Sequence, residues 1–229
     1  MLELYINKKI LLASMHKKEI SIAPAFENIL KCKIVVPKNF NTDQFGTFSG
    51  EIRRDLSAYE TLKKKAITAA NIFNFDYVIS SEGSFGPHPY IPTICDTEML
   101  LFYDKKLDLF ITDYDFFFDT NYDQFILTKE NYKANDYVKW LKSVKFPSHG
   151  LILKNQSILI CKGIISLTYL EEIIDKELSE NNNLILETDM RAMMNPTRMK
   201  AIKLLANKLV QKIAKLCNKC STRGCSRKP

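Results

Sequence analysis

The amino-acid sequence predicts an α/β fold: a mixed sheet flanked by helices, with two β-hairpins. Three observations carry this. Short apolar runs of strand length alternate with stretches whose apolar residues recur at helical spacing. Two pairs of apolar runs are separated only by a short polar turn, the pattern of a hairpin. And 46% of the 229 residues are hydrophobic, enough to build a substantial core.

The elements follow in chain order. Residues 9–14 are an apolar run with basic flanks and predict the first strand. A helical pattern spans about 17–30, and residues 34–36 predict a second strand, stopped by Pro37. Residues 38–56 form a long polar loop holding Gly46 and Gly50, and loops of this length in compact domains are usually functional. Ser57 with Glu60 makes a capping box that opens a helix running to about Asn74. Residues 76–80 predict a buried strand that leads into a Gly- and Pro-rich loop over 82–92. Residues 99–103 and 107–112 predict a hairpin turning at Asp104-Lys105-Lys106, and 151–153 with 158–160 a second around Asn155-Gln156. Between them, 131–144 predicts a helix carrying the single Trp, Trp140. Residues 170–178 predict a helix and 184–187 a strand. The last helix has Asn195 as N-cap and Pro196 in its first turn. Its apolar face is Met199, Ile202, Leu205, Leu209, Ile213 and Leu216, and Lys208, Lys212, Lys215 and Lys219 line another. Residues 1–216 are expected to form a single α/β domain, and 217–229 a basic Cys-containing tail dispensable for its folding.

Net charge is +7, but residues 1–188 hold 22 basic and 25 acidic residues, while 11 basic and no acidic residues follow Met190. The basic character belongs to the last helix and tail, so a globally basic nucleic-acid binder is not favoured. Apolar runs such as 10–13 and 184–186 are too short to span a bilayer, and Glu3, Asn7, Lys8 and Lys9 break any secretory signal. A cytoplasmic protein without membrane partners is expected. Cys32, Cys95 and Cys161 stand singly in apolar segments and suit buried reduced thiols.

Candidate chemistry sits where predicted strands end, since open α/β sheets bind ligands outside the carboxyl ends of their strands. Ser14, His16 and Lys17 combine a hydroxyl, an imidazole and an ammonium at a helix N-terminus, which suits an oxyanion. Gly46, Thr47 and Ser49, with Glu51, offer a loop able to fold over a ligand. Glu82, Gly83 and Ser84, then His88 between two prolines, follow the buried strand; a carboxylate there can hold Mg²⁺ or act as a base. Asp189, Arg191, Asn195 and Arg198 lead into the last helix; the guanidiniums suit phosphate, and the alternative is an Asp–Arg pair that braces the loop. His149 lies in a further loop beside Gly150. Ser14, His16, Glu82, His88 and Asp189 are expected to face one cleft. Cys217, Cys220 and Cys225 are candidate zinc ligands, although tetrahedral zinc takes four donors and three are present locally.

Jointly, residues 12–19, 45–51, 81–89, 147–150, 188–191 and 195–198 resemble a bacterial family of unknown function, the domain of unknown function 6671 family. That resemblance implies no established activity. More distantly, the Ala13-Ser14 strand end, Glu60-Thr61, Lys65-Ala66, Asp76-Tyr77 and Glu82-Gly83 are similar to inosine/xanthosine triphosphate pyrophosphatases and Maf-like nucleotide pyrophosphatases. This similarity implies a two-lobed mixed α/β fold and Mg²⁺-assisted cleavage of a nucleoside triphosphate to the monophosphate and pyrophosphate.

The expected function is a hydrolase of a phosphorylated small molecule that depends on Mg²⁺ or Mn²⁺. Ser14, His16 and Lys17 would hold phosphate oxygens. Glu82, with Glu51 or Asp189, would hold the metal or activate water. Arg191 and Arg198 would neutralise developing charge, and His88 and His149 would serve as acid/base groups. The alternative is a noncatalytic nucleotide-, RNA- or protein-binding module using the basic C-terminal helix and Cys tail. Substrate, metal and oligomeric state are left open.

Overall fold

The computed structural model describes residues 4–45 and 56–225. Its chain divides into two compact units. The first comprises Met1–Phe85, Asp96–Phe117 and Met199–Pro229; the second comprises Gly86–Cys95 and Phe118–Arg198.

The first unit opens with β1 (Lys9–Ala13), α1 (Glu19–Leu30) and β2 (Lys33–Val35), and continues through α2 (Ala58–Ile72) into β3 (Tyr77–Pro87), β4 (Ile94–Asp104) and β5 (Leu109–Phe117). The strand order is β2-β1-β3-β4-β5. β1 is parallel to both β2 and β3, with Ala13 opposite Ser80, and β4 is antiparallel to β5. The chain thus leaves β1 toward β2 and returns past β1 to β3, which makes the boundary between β1 and β3 a topological switch point.

Alternation along the strands sets two faces. Leu11, Ala13, Val78, Leu101 and Tyr103 pack with Leu62, Ala66, Ala69 and Ala70 of α2. Ile10, Leu12, Ile79 and Phe102 stand on the other face and are fully buried. α2 begins with the expected capping box, Ser57 and Glu60 each bonding the other's backbone N–H. α1 starts at Glu19 rather than near Lys17, because His16 and Lys17 are both left-handed, at φ 65° and 58°.

β3 is longer than expected. The segment assigned to a loop from Glu82 onward continues the strand to Pro87, so Glu82, Gly83 and Ser84 are strand residues. Polar side chains can occupy a buried strand when each finds a partner. Ser80 Oγ donates to Leu62 O at 2.9 Å, Lys18 Nζ donates to Ser81 Oγ at 2.8 Å, and Lys65 is ion-paired with Glu82.

The second unit holds β6 (Gln124–Thr128), α3 (Lys129–Lys133), α4 (Asp136–Ser143), β7 (Leu151–Asn155), β8 (Ile158–Ile164), α5 (Leu167–Glu180) and β9 (Asn183–Thr188). Its antiparallel sheet has the order β6-β9-β7-β8. Leu127, Trp140, Leu141, Leu151, Leu153, Ile174, Leu184 and Leu186 share its core. The helix expected over 131–144 is two helices, broken at Asn135, which is left-handed at φ 58°. β6 has no counterpart among the expected elements.

The final helix, α6 (Pro196–Ala214), crosses from the second unit into the first at Met199. In the first unit Ile202, Leu205, Leu209 and Ile213 are buried, as the apolar stripe predicts, Val210 is buried beside them, and Ser21 Oγ of α1 donates to Met199 O at 2.9 Å. Among the described residues no helix is long and apolar enough to cross a membrane.

Candidate functional site

A cavity of about 460 Å³ opens outside the carboxyl ends of β1 and β2. Ser14, Met15, His16, Lys17 and Glu19 line one side; Val36, Pro37, Lys38, Asn39, Phe40 and Asn41 line the other. Among the described residues of this lining, Lys17, Lys38 and His16 stand with Glu19 as the one acidic group, so the cavity suits an anion. No side-chain hydrogen bond caps α1 at Lys18; the Ile20 and Ser21 N–H groups donate instead to Lys17 O at 3.2 Å and Lys18 O at 3.0 Å. Consecutive left-handed residues without glycine are costly, on the order of 1–3 kcal/mol each, and such backbone clusters at ligand sites. At His16 and Lys17 that conformation turns the chain from the strand end into the cavity wall.

Behind this loop lies a buried polar layer. Lys18 is 5% exposed and reaches Ser81 on β3; Lys65 of α2 meets Glu82 on the opposite face of the same strand. Next to β3, Asp96 and Glu98 of β4 are 2% and 0% exposed. By alternation they share the face of Leu100 and Phe102, and Phe102 stacks on Tyr77 of β3, so they also share the face of Ser81. Lys18, Lys65, Asp96 and Glu98 were not foreseen as site residues. The sequence signal is two acids at i and i+2 in an otherwise apolar strand, which places both on one buried face where neither belongs without compensation. Glu82, the carboxylate foreseen for metal, has Lys65 as its counter-charge. Gly46, Thr47, Ser49 and Glu51 fall outside the described residues.

In the second unit the foreseen residues form a brace around the start of α6. Asn195 is the N-cap: its Oδ1 accepts the Arg198 N–H at 2.9 Å, and its Nδ2 donates to Asn121 Oδ1 at 2.7 Å. Arg198 is 1% exposed and donates through Nη1 to Met190 O. Asp189, fully buried, is held by Arg191, with Nε at 3.0 Å from Oδ1 and Nη2 at 2.5 Å from Oδ2, and by the Arg191 backbone N–H at 3.0 Å. This is the Asp–Arg pair that braces the loop. Gly163 makes room for it: with φ 79°, an added Cβ would stand 3.1 Å from Arg191 Nη2.

His149 Nε2 accepts the Thr197 backbone N–H at 3.3 Å and meets Thr197 Oγ1 at 2.9 Å. Its Nδ1 lies 3.0 Å from Ser148 Oγ, which itself donates to Lys145 O at 2.6 Å. An accepting Nε2 leaves the proton on Nδ1, the neutral tautomer. Burial, reinforced by nearby Lys145, pushes the His149 pKa below the usual histidine range. His88 is tied into its own turn, with Nδ1 accepting the N–H groups of Tyr90 and Ile91 at 3.2 Å each. The foreseen residues therefore divide: Ser14, His16, Lys17, Glu82, Gly83 and Ser84 belong to the first unit, and His88, His149, Asp189, Arg191, Asn195 and Arg198 to the second.

At the C-terminal end, the sulfurs of Cys217, Cys220 and Cys225 all lie within 4.8 Å of one another and could hold a metal ion. The lysine stripe of α6 is partly engaged within the first unit. Lys208 bonds Asp115 at 3.1 Å and pairs with Asp113 at 3.6 Å, and Lys212 Nζ donates to Thr112 O at 2.8 Å.

An open, mixed α/β sheet with a basic cavity at its strand ends defines the architectural class of the first unit. Residues 65–228 match the model of the family described as Domain of unknown function (DUF6671), and the chain belongs to that family. The match takes in Glu82, His88, His149, Asp189 and the three C-terminal cysteines, whereas Ser14, His16 and Lys17 precede it. No curated protein matches the chain.

Proposed function

We propose that the chain is a divalent-metal-dependent hydrolase of a phosphorylated small molecule, bound in the cavity beyond β1. The observation that carries this is the position of that basic cavity, outside the carboxyl ends of the parallel strands β1 and β2, where the left-handed turn at His16 and Lys17 faces Lys38. Lys17 and Lys38 would neutralise phosphate oxygens, and Ser14 and His16 would hydrogen-bond them. Mg²⁺ or Mn²⁺ would be held by Asp96 and Glu98, which share one buried face of β4 and offer hard oxygen donors suited to either ion, whereas Glu82 lies on the other face and is neutralised by Lys65. Nucleoside triphosphates are the substrate class to test first, because their polyphosphate would bring several anionic oxygens to the Lys17 and Lys38 ammonium groups. A softer metal, zinc, is proposed for Cys217, Cys220 and Cys225.

The test is a screen of nucleoside triphosphates and phosphoesters with Mg²⁺ and Mn²⁺, read by release of phosphate or pyrophosphate. Metal-dependent turnover is expected, with Lys17→Ala raising KM by about tenfold if one charge-assisted contact of ~1.4 kcal/mol is lost. Release equal to that without protein across the whole screen would overturn the hydrolase proposal. If nucleotides then still shifted the melting temperature, the protein would be a binding module instead.

A further inference from the structure

The last helix does not simply run out. Beyond Ala214 the chain doubles back: the Cys217 N–H donates to Thr222 O at 3.1 Å, the Ser221 N–H donates to Cys217 O at 2.8 Å, and Leu216 bridges Arg223 in antiparallel fashion. Ser221 takes the left-handed conformation the turn needs, at φ 55°. This small hairpin is what collects the three sulfurs. Four thiolates about 2.3 Å from a tetrahedral zinc would stand about 3.8 Å apart. A cluster spanning no more than 4.8 Å needs only a small contraction to bind one ion.

Between Cys220 and Cys225 sit the two residues that fasten the tail to the first unit. Arg223 Nη1 donates to Ile213 O at 3.0 Å and to Ala214 O at 3.2 Å, satisfying carbonyls that the end of α6 leaves without helical partners. Its guanidinium lies 5.7 Å from the centre of the Tyr5 ring. Gly224, at φ 67°, donates its N–H to Lys212 O at 3.3 Å and presses on Ile111 of β5 so closely that a Cβ would come within 2.5 Å of Ile111 Cγ2.

We infer that a zinc ion bound by Cys217, Cys220 and Cys225 is a structural clasp. It closes a loop around Arg223 and Gly224 and thereby locks the end of α6 against β5 and Tyr5. The inference rests on the zinc assignment proposed above and adds what the ion does. Each thiol gives up its proton to buffer as its metal–sulfur bond forms. Among the described residues the cluster has three donors, so water or a donor from outside them completes the tetrahedron. Soft thiolates discriminate against Mg²⁺, so the clasp and the carboxylate site take different metals.

The experiment uses the full chain, reduced and stripped with chelator, titrated with Co²⁺ and then Zn²⁺. One Co²⁺ per chain is expected, with the intense visible bands of tetrahedral thiolate coordination, displaced by Zn²⁺ and lost in Cys220→Ser. Cys220 is exposed, so its replacement leaves the core intact. Amide exchange is then followed at residues 209–225 with and without Zn²⁺; at least tenfold slower exchange there is expected with zinc. Absence of the cobalt bands, or bands that persist in Cys220→Ser, would overturn the zinc assignment itself. So would a disulfide among these cysteines in place of metal uptake. Stoichiometric zinc binding with unchanged exchange at 209–225 would leave the assignment standing and overturn the clasp.

Discussion

Lys65 and Glu82 concentrate the energetics of single residues in the first unit. Both side chains are below a tenth exposed, and each is the other's counter-charge. Removing one partner of a buried pair strands the other, at a cost of about 3–5 kcal/mol. Glu82→Ala should therefore destabilise the protein by that amount in urea unfolding, and Lys65→Met combined with Glu82→Leu should recover much of it. A single mutant as stable as wild type would show that the pair is solvated. His149 offers a residue-scale test by pH. Its folded pKa is depressed, so the unfolded chain binds the proton first as pH falls below about 6.5. Its contribution to stability is complete above that value and declines as pH drops toward the folded pKa. Melting temperature should thus fall from pH 7.5 to 5.5 more steeply in wild type than in His149→Gln; parallel curves would mean that folding does not depress the His149 pKa. The candidate residues themselves were legible only in part. Ser14, His16 and Lys17 stood out because a strand-to-helix turn is a local pattern. Glu82 stood out too, but its partner Lys65 lies on a different element, and a run such as Ser80-Ser81-Glu82-Gly83-Ser84 looks like a loop until α1 and α2 supply its partners.

At the scale of elements, local signals were reliable wherever a cap or a stripe set the boundary. Ser57 and Asn195 cap α2 and α6 as expected, and both hairpins form, with Asp104 Oδ1 accepting the N–H groups of Lys106 and Leu107 to close the first turn. β6 was not legible because Leu127 is its only buried residue; pairing with β9, far along the chain, makes it a strand. The break between α3 and α4 at Asn135 likewise lies within a continuous polar and apolar alternation that reads as one helix. Two element-scale outcomes follow from the helix ends. Asn195→Ala removes the α6 cap and the partner of buried Asn121, and should lower stability by about 1–3 kcal/mol in thermal or urea unfolding. Lys31 ends α1 in the left-handed conformation at φ 54°, where glycine is at ease. Lys31→Gly should raise stability by up to about 1 kcal/mol, and a loss of stability would show that the lysine side chain contributes more than its backbone costs.

For the whole molecule, connectivity governs what can be separated. The second unit is interrupted by residues 96–117, which belong to the first, so a fragment of residues 86–198 carries β4 and β5 without their neighbour β3. Leu100, Leu101 and Phe102, buried in the full chain, would then be bared to water. That fragment should aggregate in size-exclusion chromatography. A version with 96–117 replaced by a Gly-Ser linker should remain monomeric with folded far-UV dichroism, because the core around Trp140 and Leu153 draws only on residues of the second unit. If both behave alike, the hairpin is not what decides solubility. The division into units was not legible from composition, since its boundary at 117–118 falls inside the run Phe116-Phe117-Phe118, where polarity does not change. The asymmetry of charge after Met190 was visible at once, and the structure adds partners for two of its lysines: Lys208 and Lys212 bond Asp115 and Thr112 of β5.

The placement of α6 has a temporal consequence in the cell. Its buried residues complete the first unit, yet they follow the whole of residues 118–198 in the chain. At roughly 5–20 residues per second, a ribosome takes roughly 4–16 s to synthesise that intervening stretch. Throughout it, the nascent sheet has all five strands but not the helix that joins α1 in its core, and its apolar side remains a target for holding chaperones or for self-association. Folding of the first unit is therefore gated by translation of the second, and slow codons within 118–198 would prolong the vulnerable interval rather than protect it.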